Sequence, residues 1–169
     1  GEGEINPTAF YIHMPIHDAR PDVTCAAHTH TAYGTPWSAT REPFGMICQE
    51  AVAFHRSHAV FIDGEVDIQS CDGGKRIAAA LGDTKLVILG NHGLLTVGAS
   101  VDEAVGWFLM AERVAEVHIK AGARARPISA EDADRSSVSI DTPAQGRRVF
   151  EWAVRSRVPD PTVVDLIEH

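Results

Sequence analysis

The sequence predicts a mixed α/β (or α+β) domain, and three observations carry that prediction. Short apolar segments rich in β-branched or small residues, such as Lys85–Leu89 (KLVIL), alternate with longer stretches of helical period. Ser100-Val-Asp-Glu103 has the Ser-x-x-Glu pattern of a capping box and opens the longest of those stretches. Glycine and proline fall between the segments, where turns are needed.

Taken in order, Asn6-Pro7 marks a helix entry, because Asn caps and proline at the first helical position forfeits an N–H that would lack a partner anyway. The helix runs to about Ala19 with Phe10, His13, Met14 and His17 on one face, and Pro15 is expected to kink or split it. Arg20-Pro21-Asp22 stops it. Val23–His30 reads as a strand and Thr31–Thr40 as a short helix, kinked or started late at Pro36. Ser57–Ile62 is a second strand. Asp72-Gly73-Gly74 is read as a turn leading to a helix over Lys75–Leu81, and a phosphate-cradling loop is the weaker reading because the Lys-Ser/Thr ending is absent. Lys85–Leu89 is a buried strand, Asn91-His92-Gly93 a corner, and Leu94–Val97 a further strand. The capped helix extends to about Ala121, with Ala104, Val105, Phe108, Ala111, Ala115 and Ile119 inward and Gly122 as its stop. Residues 124–141 are polar without a period and predict a long loop. A final helix spans roughly Thr142–Ser156, followed by an extended tail from Pro159. The organisation expected is a core over 5–122, a loop or linker over 123–141, and a helix and tail of the same domain over 142–169.

Bulk properties exclude some roles. Of the 169 residues 44% are apolar and 22% charged, which is ordinary for a globular domain. The net charge of −8, from 15 basic and 23 acidic residues, lacks the basic surface a nucleic-acid binder needs. Apolar runs stop well short of the roughly 20 residues of a membrane span. Cys25, Cys48 and Cys71 are widely spaced and odd in number, as reduced cytoplasmic thiols are. Gly1-Glu2-Gly3-Glu4 shows no signal peptide, and a helix entry so soon after it leads us to expect that an N-terminal portion is missing.

Chemistry concentrates in the nine histidines. His28 and His30 lie two apart on a predicted strand, so both rings face one side of the sheet and can share an ion. His92 sits in a glycine-flanked corner after a buried strand. Three neutral imidazoles would leave a coordination position open for water or substrate. An HxH pattern alone is a weak signal, since histidines more often only hydrogen-bond.

Longer motifs add to it. The run Ile12–Asp22 (IHMPIHDARPD), followed by His28-Thr29-His30-Thr31, resembles the central motif of the class II aldolase/adducin family. Leu89–Gly98 (LGNHGLLTVG), running into Ser100–Ala104, is similar to its second motif. The resemblance covers about residues 5–120. It implies a three-layer α/β/α domain and a divalent ion, zinc foremost with Fe2+ or Mn2+ as alternatives, held by His28, His30 and His92. It further implies a small-molecule substrate, substrate-binding loops upstream of Gly1, and a homo-oligomer, a tetramer in such members.

Two positions depart from the family pattern. An acidic residue on the first helix serves sugar-phosphate aldolases and epimerases as acid/base or ligand, and Ala9 occupies that place here. Alanine transfers no proton. The neighbourhood of the aldolase tyrosine reads Ile47-Cys48-Gln49-Glu50. Glu50 is the candidate replacement base, against a plain surface glutamate. His13 and His17, four apart on a helix, are candidates to orient a ligand rather than to bind the ion. Cys25 has no base beside it and reads as a strand residue, and the Trp107/Phe108 and Phe150/Trp152 pairs as core or subunit contacts.

The favoured expectation is a metal-dependent lyase acting on a hydroxy-carbonyl or keto acid through a metal-stabilised enediolate. A non-haem iron oxygenase or decarboxylase on the same scaffold is the alternative, and a non-catalytic adducin-like assembly domain the third class.

Overall fold

A computed structural model describes residues 3–164 of the chain. Helix α1 (Pro7–Ala19) leads to strand β1 (Cys25–Thr29), then α2 (Gly34–Ser38), a 3-10 turn at Glu50–Phe54, β2 (His58–Phe61), α3 (Cys71–Leu81), β3 (Leu86–Leu89), β4 (Gly93–Gly98), α4 (Val101–Ala121), α5 (Ala130–Ile140) and α6 (Pro143–Arg157). The four strands form one sheet in the order β1-β4-β3-β2, in which β2 and β3 run parallel and the other neighbours antiparallel.

The sheet is covered on both faces, giving the three layers that the sequence led us to expect. Along β3 the side chains alternate: Leu86 and Ile88 join Trp37, Phe54, Trp107 and Ala111 in one core, whereas Val87 and Leu89 join Ile12, Ile16, Ile77 and Leu81 in the other. Helices α1 and α3 therefore form one outer layer, and α2 and α4 with α6 behind it form the other. All four β3 residues are buried, which is why that strand reads as an uninterrupted apolar run.

Local caps mostly follow the sequence. Asn6 accepts the Thr8 N–H at 3.1 Å, and Thr142 accepts that of Gln145 at 3.3 Å. Gly122 ends α4 at φ 55°, a backbone state that favours glycine. The capping box is rearranged, however. The Ser100 hydroxyl donates to Asp102 Oδ1 instead of accepting an N–H, and Glu103 Oε2 reaches back to the Ala99 N–H at 3.2 Å. Glu103 Oε1 accepts the buried Trp107 indole N–H at 3.3 Å, so this residue serves the core as well as the helix end.

Other expectations need correction. Pro15 does not split α1, which is one helix with Ile12, Pro15 and Ile16 buried, while Phe10 and Met14 stay exposed. Pro15 has no N–H for the Tyr11 carbonyl, and α3 packs there instead: a Cβ on Gly74 would lie 1.9 Å from that oxygen. Gly73 and Gly74 are accordingly not a turn but the first turn of α3, capped by Ser70, whose hydroxyl accepts the Gly73 N–H at 3.3 Å. On α4 the inward residue near the end is His118, stacked against Trp37 and Phe44, and Ile119 is exposed.

Segment 123–141, expected as a loop or linker, contains α5. Its sequence hides the helix because Ala133 is its one buried residue, and what fastens it is distant: Asp134 takes the His55 ring N at 2.8 Å and the Arg56 guanidinium at 2.9 Å. A further 3-10 turn, Pro161–Val163, replaces part of the expected extended tail. Residues 165–169 of the expected 142–169 segment, and Gly1 and Glu2, lie outside the described residues. No helix among those described is long and apolar enough to cross a membrane.

His58 shows how tightly the core around Phe44 and Phe54 is specified. Its Nδ1–H donates to the Phe54 carbonyl at 2.6 Å and its Nε2 accepts the Phe44 N–H at 3.0 Å, so the ring has to be neutral. Burial lowers its pKa, partly opposed by the Phe54 carbonyl. The unfolded chain takes up this proton near pH 6.5, which the folded ring refuses. Its contribution to stability is therefore complete above about pH 6.5 and is lost as pH falls through the lowered folded value. The denaturation midpoint of the metal-free protein is expected to fall from pH 7 to pH 5, with a smaller fall in His58→Gln.

Candidate metal centre

Two short stretches converge at one end of the sheet. β1 pairs with β4 so that His28 lies opposite Leu95 and Thr29 opposite Leu94, which brings His28 and His30 beside the β3–β4 turn carrying His92. That turn is sharp. The Leu89 carbonyl accepts the His92 N–H at 2.9 Å, and Asn91 takes the left-handed φ of 61°. Asn91 is anchored there on both sides, its N–H donating to Ser38 O at 3.0 Å and its Oδ1 accepting from Arg41 Nε at 2.6 Å. Gly93 keeps the space open, since a Cβ on it would stand 3.3 Å from His28 Cε1 and 3.4 Å from the Thr29 carbonyl.

The ring centroids of His28, His30 and His92 are 4.9 to 5.5 Å apart, and one nitrogen from each lies within 4.8 Å of the other two. All three line a cavity of about 680 Å³ together with Ala9, His13 and Asp67.

The donor set suits a divalent ion. The His28 Nδ1–H is committed to the Leu94 carbonyl at 2.8 Å, which leaves the Nε2 lone pair as the ligand atom. The His28 and His92 rings are also biased toward the neutral form that ligands must take. Burial, with His92, His30 and His13 nearby, pushes the His28 pKa down to about 4 against the Leu94 carbonyl. Burial and His30 likewise lower that of His92, opposed by Asp67 and the Val66 carbonyl. Three imidazoles clustered without an interspersed cation or carboxylate fit zinc or another borderline divalent ion, and they leave room for substrate oxygens.

The other candidates divide clearly. His13 joins the site, its ring 6.5 Å from that of His28, and burial followed by His17 lowers its pKa. His17 instead bonds the Val23 carbonyl at 3.1 Å and locks α1 to the start of β1. Ala9 lines the cavity. Glu50 is not brought to the histidines. It lines a separate cavity with Tyr33, Glu112 and Arg113, toward α4 and α6, so within this chain it is not the neighbouring base that its sequence position suggested. Cys25 is half-buried on β1, and burial raises its thiol pKa, which makes it a poor nucleophile.

Two residues that shape the site escaped sequence reasoning. Asp67 enters the cavity from an irregular loop that has no periodicity to announce it. Glu112 resembles any mid-helix glutamate, yet it accepts from Thr31 Oγ1 at 2.6 Å, the Gly34 N–H at 2.7 Å and the Tyr33 N–H at 2.9 Å. It thereby ties the segment after His30 to α4. Glu112→Ala leaves these donors unpaired and is expected to cost about 2–3 kcal/mol, read from urea denaturation.

Comparison with known proteins identifies the family of the fold. The model of the Class II Aldolase and Adducin N-terminal domain matches residues 1–119. A Streptomyces roseochromogenus subsp. oscitans protein, 4-hydroxy-3-prenylphenylpyruvate oxygenase/4-hydroxy-3-prenylbenzoate synthase, is 41% identical over 165 residues, covering 95% of this chain and 60% of the relative. Decarboxylase NovR of Streptomyces niveus is 39% identical over 127 residues, 75% of this chain and 47% of the relative. The chain thus spans about half to three-fifths of these relatives. Among solved structures, L-fuculose 1-phosphate aldolase from Glaciozyma antarctica PI12 superposes with a TM-score of 0.79 at 31% identity, covering 92% of this chain and 63% of the other.

Proposed function

Since the chain belongs to the class II aldolase and adducin family, we propose that it is the metal-binding part of an enzyme that cleaves a carbon–carbon bond in a small hydroxy-carbonyl or keto-acid substrate. The observation that carries this is the meeting of His28, His30 and His92 in an open cavity. An ion bound there, zinc foremost with Fe2+ or Mn2+ as alternatives, would supply Lewis acidity toward two substrate oxygens. The residues do the rest. His28, fixed by the Leu94 carbonyl, holds its lone pair in place, and Gly93 leaves space beside the rings. Retention of all three imidazoles favours this over an adducin-like assembly role, which has no need of them.

A second reading, oxygenation or oxidative decarboxylation with iron, is favoured by Ala9 together with the oxygenase named above. A centre without an acid at that position is less suited to proton-shuttling sugar chemistry than to one that activates oxygen. Both readings predict that the full-length protein purifies with about one divalent ion per chain and loses turnover on chelation. Anaerobic purification, elemental analysis and oxygen uptake on aromatic and aliphatic keto acids separate them. Zinc with oxygen-independent cleavage supports the lyase, iron with oxygen uptake supports the oxygenase, and absence of any tightly bound divalent ion overturns both.

A further inference from the structure

We propose that Asp67 is the proton-accepting group of this site. The inference rests on the metal-binding reading above and names the residue that acts beside the ion. Asp67 and Ala9 line the same cavity as the three histidines. Asp67 shares that cavity with His92, yet it is not one of the clustered ligand atoms. Its place is therefore in the open cavity beside the histidine cluster and not within it.

The loop that presents it is built rather than loose. Ile68, next in sequence, is buried with Ile77 and Leu89 in the core beneath. Arg76 on α3 holds Asp63 at 2.7 Å and Glu65 at 2.8 Å, and Glu65 Oε1 in turn accepts the Gln69 N–H at 3.0 Å. Gln69 Nε2 donates to Asp67 Oδ2 at 2.8 Å, which leaves Oδ1 uncommitted among the described residues. Val66 and Asp67 are exposed, so a proton received there passes readily to water. The step balances simply. The substrate O–H bond breaks, its electron pair stays on the oxygen that meets the ion, and the proton moves to the Asp67 carboxylate and then to solvent.

Acetohydroxamate tests this without knowledge of the substrate, because it must shed an O–H proton to chelate a divalent ion. With the full-length protein loaded with Co2+, its association is followed by stopped-flow absorbance. Asp67→Asn is expected to slow association at least about tenfold, with Co2+ affinity changed less than about threefold, and Asp67→Glu to recover much of the rate. An unchanged association rate in Asp67→Asn overturns the proposal while leaving the metal centre intact. A parallel loss of Co2+ affinity also overturns it, since Asp67 would then be a ligand or a structural prop. Failure of the parent protein to bind Co2+ removes the metal-binding reading itself.

Discussion

His92→Ala is expected to lower zinc affinity by more than about a hundredfold and to remove turnover with it. Deleting only the partner of a metal-bound imidazole costs 10- to about 100-fold in affinity, so deleting the imidazole costs more. His92 carries this effect because its position is over-determined: Asn91 is held in a left-handed conformation between Ser38 and Arg41, and Gly93 leaves no other side chain to take its place. His28→Ala should match it, and additionally leave the Leu94 carbonyl without its ring donor. Competition with a chromophoric chelator measures both. Unchanged zinc affinity in either variant would remove that histidine from the ligand set. Circular dichroism should meanwhile show the fold retained, since His92 sits in a turn and not in either core.

Gly74→Ala is expected to be the most damaging single methyl in the chain's first layer, costing about 3 kcal/mol. The added carbon would lie 1.9 Å from the Tyr11 carbonyl oxygen and 2.7 Å from Pro15 Cγ, and backbone cannot turn aside as a side chain can. Relief requires α1 and α3 to separate, which would also draw His13 and Ala9 away from the histidine cluster. Gly64→Ala is the control. Nothing lies within 4 Å of the carbon it adds, so the denaturation midpoint should barely move. Equal stability of Gly74→Ala and the parent would show that the α1–α3 contact tolerates widening.

Much of this was readable in advance where a local pattern was under direct physical constraint. The buried run at Leu86–Leu89 and the Asn6-Pro7 helix entry each follow from one element's own geometry, whereas the strand expected over Val23–His30 ends at Thr29, so that His28 is on β1 and His30 one residue past it. What escaped was set by partners far away in sequence. Helix α5 buries little and is fastened by His55 and Arg56, about eighty residues earlier. Gly73 and Gly74 looked like a turn because their reasons for being small lie on other segments: the Tyr11 carbonyl of another helix for Gly74, and the Ile68 and Glu65 side chains of the preceding loop for Gly73. Glu50 and Asp67 illustrate the same limit within the site. Glu50 opens a short 3-10 turn and Asp67 lies in an irregular loop, and only the tertiary path sends Asp67 toward the histidines and Glu50 toward α4 and α6.

The seam between β1 and β4 has one more consequence. It is the outermost seam on that side of the sheet, and the histidines on its two sides are about sixty residues apart in the chain. An ion gripping both sides ties off that long span as a clasp would, and its binding energy is drawn on whenever the strands try to part. Amide hydrogens along Ala26–Thr29 thus become a gauge of occupancy: they should exchange slowly when the clasp is shut and quicken when it is withdrawn, while those of β3 at the sheet's centre hardly respond.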